Sequence, residues 1–392
     1  MKCMVPENRK FIYLPALNSS LLQYNRKVVG ADGREYVTNW WSKDSPFCYD
    51  QSLICAYYGM QVKGNFRESF GMPKDYNLLS DSGGFQAVTL QDPINPIEVL
   101  QWEENNSEKG LILDRPPYEF GAGAQFSGNI HNVFEQSLKG TAENSDIMLR
   151  NKKDNFNLFG VVQGESPQQM LKWYNTMIEI EEKNSKKFGG WALSPKPSND
   201  VMKIAMYGIL AIEKLNTPIH ILQVSSFDGA IIGAYISSIY KNIVTMDSSS
   251  YMIGIRYGQA TDDWDIRNHW NFGRSENKSP THFSRFMSCS PIGQVLANKP
   301  TKEYSDADYC MINMHNLYKF VEFFNYLEVL SEDRHEFVEF AKKATNPTKV
   351  LNAIEMIDYG VEYGLEKAYE RFKDKVELTE KPVKQSSVFR KW

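Results

Sequence analysis

The sequence predicts an α/β chain, a (β/α)8 TIM barrel with a C-terminal helical extension, from three observations. Short apolar runs recur eight times in the first 250 residues. The segments between several of them carry helical spacing. Polar residues, aspartates above all, stand at the ends of the runs. Each run is four to six residues, mostly aliphatic or aromatic, with little polar alternation, as expected of strands buried on both faces. A doubly wound open sheet reads similarly strand by strand, and the count of eight favours the closed barrel.

In chain order the runs are Phe11–Leu14, Ser52–Ala56, Asn77–Asp81, Leu111–Asp114, Leu158–Val162, Gly190–Leu193, Ile219–Val224 and Ile243–Asp247. Helical patterns fill Pro167–Glu182 and Val201–Leu215. The first interval, Asn18–Gln51, is longer than one helix needs. Its turn signal Gly30-Ala31-Asp32-Gly33 predicts a small hairpin. After the eighth run a polar stretch extends from Gly258 to about Asp306. A helix then follows, with Ile312, Leu317, Phe320, Val321, Phe324 and Leu327 on helical spacing, and another helical segment covers Pro347–Lys373. These divide the chain into a barrel over 1–286, a helical subdomain packed on it over 287–375, and a basic tail over 376–392 that reads as mobile.

The chain has 392 residues and a formal net charge of −4, so it can bury a large core and is not generally basic. Contact with a nucleic acid therefore has to come from a local patch. The cysteines Cys3, Cys48, Cys55, Cys289 and Cys310 form an odd, scattered set, which reads as reduced thiols and a cytoplasmic location. No apolar run is long enough to span a bilayer, and the N-terminus lacks a signal-peptide core, so no membrane partner is expected.

In a barrel of this kind the active site lies at the carboxyl ends of the strands. There the sequence places Asp81, Asp114, Gln163-Gly164, Ser194, Gln223 and Asp247, with Gly189-Gly190 at the start of the sixth run. The most informative stretch is Leu79-Ser80-Asp81-Ser82-Gly83-Gly84-Phe85-Gln86. An acid, two glycines that admit close backbone approach, a flat ring and an amide suit a pocket for a planar polar ligand. Two carboxylates facing one ligand can share the work of nucleophile and general acid. Bland readings stand beside these. A strand-end Asp is often a helix cap, the glutamines can satisfy backbone groups, and the glycines can serve packing. On residues alone, the pattern supports a barrel enzyme with a carboxylate pair and leaves the substrate open.

The chain resembles the tRNA-guanine transglycosylase family. The likeness is carried by Asp81–Gln86, Leu158–Gly164, Met246–Tyr251 through Arg256, Met314–Tyr318 and Leu113–Tyr118, in the family's order, from Phe11 to Leu327. It implies a pentosyltransferase. Asp247 would be the nucleophile at C1′ of a guanosine, and Asp81 the general acid and base. Asp114 would read the guanine edge, Phe85 would stack on the base, and Ser82 would line its pocket. Gln163, Gly164 and backbone near Gly190 would hold the carbonyl oxygen. Breaking an N-glycosidic bond develops positive charge at C1′ and negative charge on the base, which a carboxylate and a proton donor answer.

The family usually holds a structural zinc on three cysteines and a histidine. Here Cys289 and His315 stand in register, while Ser284 and Phe286 occupy the other two places. No cofactor is expected, and zinc is expected to be absent or weak. The glutamate that bacterial members place after the sixth strand has no counterpart, so the site is closer to the archaeal form, which takes a 7-cyano base. The archaeal RNA-binding domain is not expected after the helices. Together these features resemble the DNA-guanine transglycosylases of phages and bacterial DNA-modification islands. The resemblance thus implies exchange of guanine for a 7-deazaguanine in DNA; exchange in tRNA and a non-catalytic partner subunit are the alternatives. Nucleic-acid contact would fall on Arg256, Arg267, Arg274, Lys278 and Arg285, interleaved with Trp264, Trp270 and Phe272. A homodimer is compatible with such a chain.

Overall fold

The structure is a computed structural model that describes residues 9–17, 25–90, 94–118, 120–121, 125–126, 130–195, 200–263, 265–272, 285–286, 288–297 and 299–376. Eight parallel strands close into a barrel. They are β1 (Phe11–Leu17), β2 (Gln51–Cys55), β3 (Asn77–Asp81), β4 (Lys109–Leu111), β5 (Asn157–Gln163), β6 (Gly190–Ser194), β7 (Ile219–Ile221) and β8 (Val244–Ser248). Their order round the barrel is their order in the chain, and β8 closes on β1 through pairs such as Leu14 with Asp247. All eight predicted runs are strands. The fourth lies two residues earlier than expected, and the seventh stops at Ile221, because Gln223 takes a positive φ of 55° and turns the chain away.

Helices cover the barrel's outer face: α1 (Gly84–Leu90), α2 (Pro96–Asn106), α3 (Ile130–Asn151), α4 (Pro167–Asn184), α5 (Val201–Lys214) and α6 (Phe227–Ile239). Three begin on caps the sequence supplies. Ser166 accepts from the Gln169 amide, Asp200 from Met202 and Ser226 from Gly229. α6 is apolar almost all round and accordingly buried. The hairpin over the first interval forms as expected, with Lys27–Val29 antiparallel to Glu35–Val37.

A long helix, α7 (Asp306–Leu330), starts at a capping box between Ser305 and Asp308. It lays Phe320 and Phe324 on Tyr13 and Phe11 of β1, with ring centroids 5.4 and 4.8 Å apart. α7 is thus the cover of β1, and a boundary at 286/287 separates the barrel strands from a helix that completes their outer layer. The segment Pro347–Lys373 is two helices, α8 (Pro347–Tyr363) and α9 (Leu365–Phe372), broken at Gly364 (φ 87°). α8 packs on α5 and α6, so this extension also rests on the barrel. Residues 377–392 of the basic tail lie outside the described residues. Among the described residues no helix is long and apolar enough to cross a membrane.

Candidate active site

Three carboxyls meet at the carboxyl end of the barrel, each placed by a different strand. Asp81 is the last residue of β3, Asp247 lies one residue before the end of β8, and Asp114 follows β4 by three residues. Asp247 caps no helix, since the helical turns after β8, Ser250–Met252 and Ile253–Tyr257, take no side-chain cap. The segment that carries Asp114 is pinned from α3. The Asn144 side-chain amide donates to Leu113 O (2.8 Å), and Arg115 N–H donates to Thr141 Oγ1 (2.8 Å).

The two glycines after Asp81 do different work. Gly83 adopts a left-handed φ of 88°, which turns the chain from strand to helix. Gly84 brings the start of α1 against Asp114, where a Cβ would come within 2.2 Å of Asp114 O and 2.4 Å of its Oδ1. The pair therefore locks β3 to the Asp114 segment, and the half-buried ring of Phe85 follows in the first turn of α1.

Burial and mutual repulsion keep two of the carboxyls close to neutrality. Asp81 is pushed up to about 6, first by burial and then by the charge of Asp247; amides of Gly83 and Ser82 pull the other way. Asp114 is pushed up to about 7, again by burial first and then by the charge of Asp81. Gln163, 1 % exposed at the end of β5, donates from Nε2 to Asp114 Oδ2 (2.5 Å). Its Oε1 and the buried Ser82 Oγ have no hydrogen-bond partner among the described residues. The mouth thus presents polar atoms that a bound ligand can satisfy.

Asp247 is 3 % exposed. Its Oδ1 accepts from the backbone N–H of Gln223 (2.6 Å), and His220 Nε2 lies 3.2 Å from the same oxygen. The Gln223 side chain is exposed, so this residue serves through its backbone. Behind Gln163, the carbonyl of Gly164 accepts from Tyr207 Oη (2.9 Å), and Glu165 pairs with the fully buried Lys203 (2.8 Å). These contacts fix the turn after β5.

Asp81, Asp114, Asp247, Gln163, Gly164, Ser82 and Phe85 therefore gather as the sequence suggested. Gly190 does not. It opens β6 beside Phe159, at the end of the strand away from Ser194 and Gln163, where a Cβ would come within 2.4 Å of the Phe159 ring. Its role is packing. Reading the residues missed His220, although a histidine between Ile219 and Ile221 in an apolar run was a signal.

The basic segment divides. Arg256 is half-buried just beyond β8, and Arg285 is exposed, 3.4 Å from Asp262. Arg267 is committed to the fold: it pairs with Asp265, donates to Lys343 O and lies 3.9 Å over the Phe227 ring. Trp270 and Phe272 are buried against Phe286 rather than presented for stacking on bases. Trp264, Arg274, Lys278 and Ser284 lie outside the described residues.

The residues in the zinc register do not fit a four-ligand zinc. Phe286 is 0 % exposed and packs edge-on to the His315 ring at 4.8 Å. Both ring nitrogens of His315 are engaged, Nδ1 with Ser290 Oγ (2.7 Å) and Nε2 with Thr261 O (2.8 Å), and burial pushes this imidazole down to about 3. The Cys289 thiol is pushed up to about 12 by burial and sits 3.5 Å from Phe286 O. An aromatic cluster occupies the place where thiolates would converge. No protein-family model matches the chain, and no curated protein is similar to it in sequence, so the chemistry of the site rests on its own residues.

Proposed function

We propose that the chain is a nucleic-acid guanine transglycosylase, exchanging guanine for a 7-deazaguanine, with DNA as the polymer. The observation that carries this reading is the three-carboxyl mouth: a nearly buried Asp247 with one oxygen held, beside Asp81 and Asp114 poised near neutrality. Asp247 Oδ2 attacks C1′ as the C1′–N9 bond breaks, and the bonding pair leaves with the base. Asp81 supplies the proton the departing guanine takes up. In the second half the incoming base gives its N9 proton to Asp81, N9 attacks C1′, and Asp247 departs as carboxylate. A carboxyl held at about 6 can serve in both directions near neutral pH. Asp114, with Gln163 against it, faces the donors of the guanine edge. DNA is favoured over tRNA by the sequence likeness, with its archaeal-like site and altered zinc register.

The test is labelled-guanine incorporation into DNA and into tRNA, with denaturing electrophoresis for a covalent protein–nucleic-acid complex. Incorporation into DNA, abolished by Asp247→Ala along with the complex, is the expected result. The loss should be at least about 10^4-fold, since Asp81 and Asp114 have other tasks in this scheme and neither replaces the nucleophile. A covalent complex that survives in Asp247→Ala would remove the nucleophile assignment. Incorporation into tRNA alone would move the substrate and keep the chemistry.

A further inference from the structure

We propose that His220 is a positioning residue for Asp247, fixing which carboxylate oxygen faces the ligand; this rests on the reading of Asp247 as the nucleophile. His220 lies in β7 between Ile219 and Ile221 and is 0 % exposed. Its register partners are Ala192 on β6 and Thr245 on β8, which puts it one layer below Asp247 inside the barrel. An imidazole in such a place is costly unless its nitrogens are occupied.

Nδ1 is occupied by Thr245 Oγ1 at 2.8 Å, and that hydroxyl lies 3.2 Å from Ile219 O. This contact fixes the ring plane and aims Nε2 upward. Nε2 lies 3.2 Å from Asp247 Oδ1 and points off the line to that oxygen without making an aligned hydrogen bond. The approach is a close electrostatic contact in the ligand-free protein, of the kind that tightens when substrate arrives. The partner at Nδ1 determines where the ring proton sits. The proposed contact requires a proton on Nε2, because a bare nitrogen lone pair would repel the carboxylate.

The Gln223 N–H reaches the same Oδ1 at 2.6 Å. One donor and one close imidazole on the same oxygen, both from β7 and the turn after it, oppose rotation of the carboxylate. Oδ2 is left as the free nucleophile. When Oδ2 bonds to C1′, Oδ1 becomes the ester carbonyl. When the incoming base displaces Asp247, negative charge returns to the carboxylate with the Gln223 N–H and the His220 ring already beside it. His220 transfers no proton in either step; it holds geometry and stabilises charge.

The experiment uses the full chain, labelled-guanine exchange and 15N-histidine NMR. His220→Phe should lower kcat about 100-fold while KM for guanine moves less than about three-fold, since a charge-positioning contact acts in the transition state. His220→Gln, whose side-chain amide can donate to Oδ1, should recover about ten-fold of that loss. In the wild type the Nε2 resonance should be that of an N–H nitrogen and should shift in Asp247→Asn. A folded His220→Phe with kcat within about three-fold of wild type overturns the proposal, as does an Nε2 resonance that ignores Asp247→Asn. If His220→Phe does not fold, His220→Gln and the NMR comparison carry the decision. Wild-type protein that exchanges no base, with Nε2 still responding to Asp247→Asn, supports the contact and overturns the transglycosylase reading instead.

Discussion

Asp114 is pushed up to about 7, and that changes what it can recognise. A carboxylate accepts from both donors of a guanine edge, whereas a protonated carboxyl offers one acceptor and a clashing donor. The binding form is therefore the deprotonated one, and its population grows as pH rises through about 7. Affinity for the incoming base should climb with pH up to that point, by nearly ten-fold per pH unit on the acid side, and then level off. Asp114→Asn should weaken binding about 10- to 100-fold and abolish the pH dependence. Calorimetric titration of guanine from pH 5.5 to 8.5 measures both, and a flat wild-type profile would show that Asp114 does not read the base. Residues such as Asp114 were legible because acids closing apolar runs stand out against the barrel expectation. Gly190 misled because a glycine pair looks alike whether it serves a ligand or, as here, the Phe159 ring. The backbone amide of Gln223 was invisible, since its position depends on a left-handed turn that residue type does not announce.

The contact between α2 and the strands it covers holds a buried acid outside the active site. Glu103 of α2 is 0 % exposed, and burial pushes it well above the usual carboxylate range against the opposing pull of Ser80 and the Leu111 backbone. The unfolded chain releases this proton above about pH 4.5 while the folded protein keeps it, so the wild type loses stability as pH rises from there. Glu103→Leu should stabilise by about 1–3 kcal/mol near neutrality. The gain should be larger at pH 8 than at pH 5, and urea unfolding at the two values checks it; an equal gain at both would contradict a protonated Glu103. The aromatic cluster at the start of α7 makes a second case. Phe286→Ala should cost about 3–5 kcal/mol. Cys289→Ser and a chelator should leave Tm nearly unchanged, and elemental analysis should find far less than one zinc per chain. Stoichiometric zinc would mean that residues outside Phe286, Cys289 and His315 supply the ligands. The barrel strands, and the helices over Pro167–Glu182 and Val201–Leu215, were legible from apolar runs and helical spacing. The break at Gly364 was not, because helical spacing of apolar residues continues across it.

At the scale of the whole molecule, the mouth that would perform the chemistry also works against the fold. Asp81 and Asp114 are held at about 6 and about 7, against an ordinary aspartate near 3.8. From about pH 4 to 7 the folded protein retains protons that the unfolded chain has released, so these two groups lower stability progressively across that window, and their penalty is constant above it. For each group the loss is at most about 1.4 kcal/mol for every pH unit separating its folded from its unfolded titration, and the pair loses less than the sum, because the charge of Asp81 helps to raise Asp114. Asp146 and Asp265 act in the opposite sense. Hydrogen bonds to Asn184 and Lys183 lower Asp146, and bonds from Arg267 lower Asp265 against its burial, so both favour the fold above the usual carboxylate range. The raw pH profile therefore mixes the site with the surface, and the difference between variant and parent isolates the site. Asp81→Asn combined with Asp114→Asn should raise Tm by several degrees at pH 8 and leave it nearly unchanged at pH 4, where the parent carboxyls are already protonated. The same double variant should exchange no base. Equal Tm shifts at both pH values would mean that the asparagines improve packing and that the two carboxyls are not held near neutrality. A shift confined to pH 8, with loss of exchange, would tie the stability cost and the proposed chemistry to one arrangement of charge.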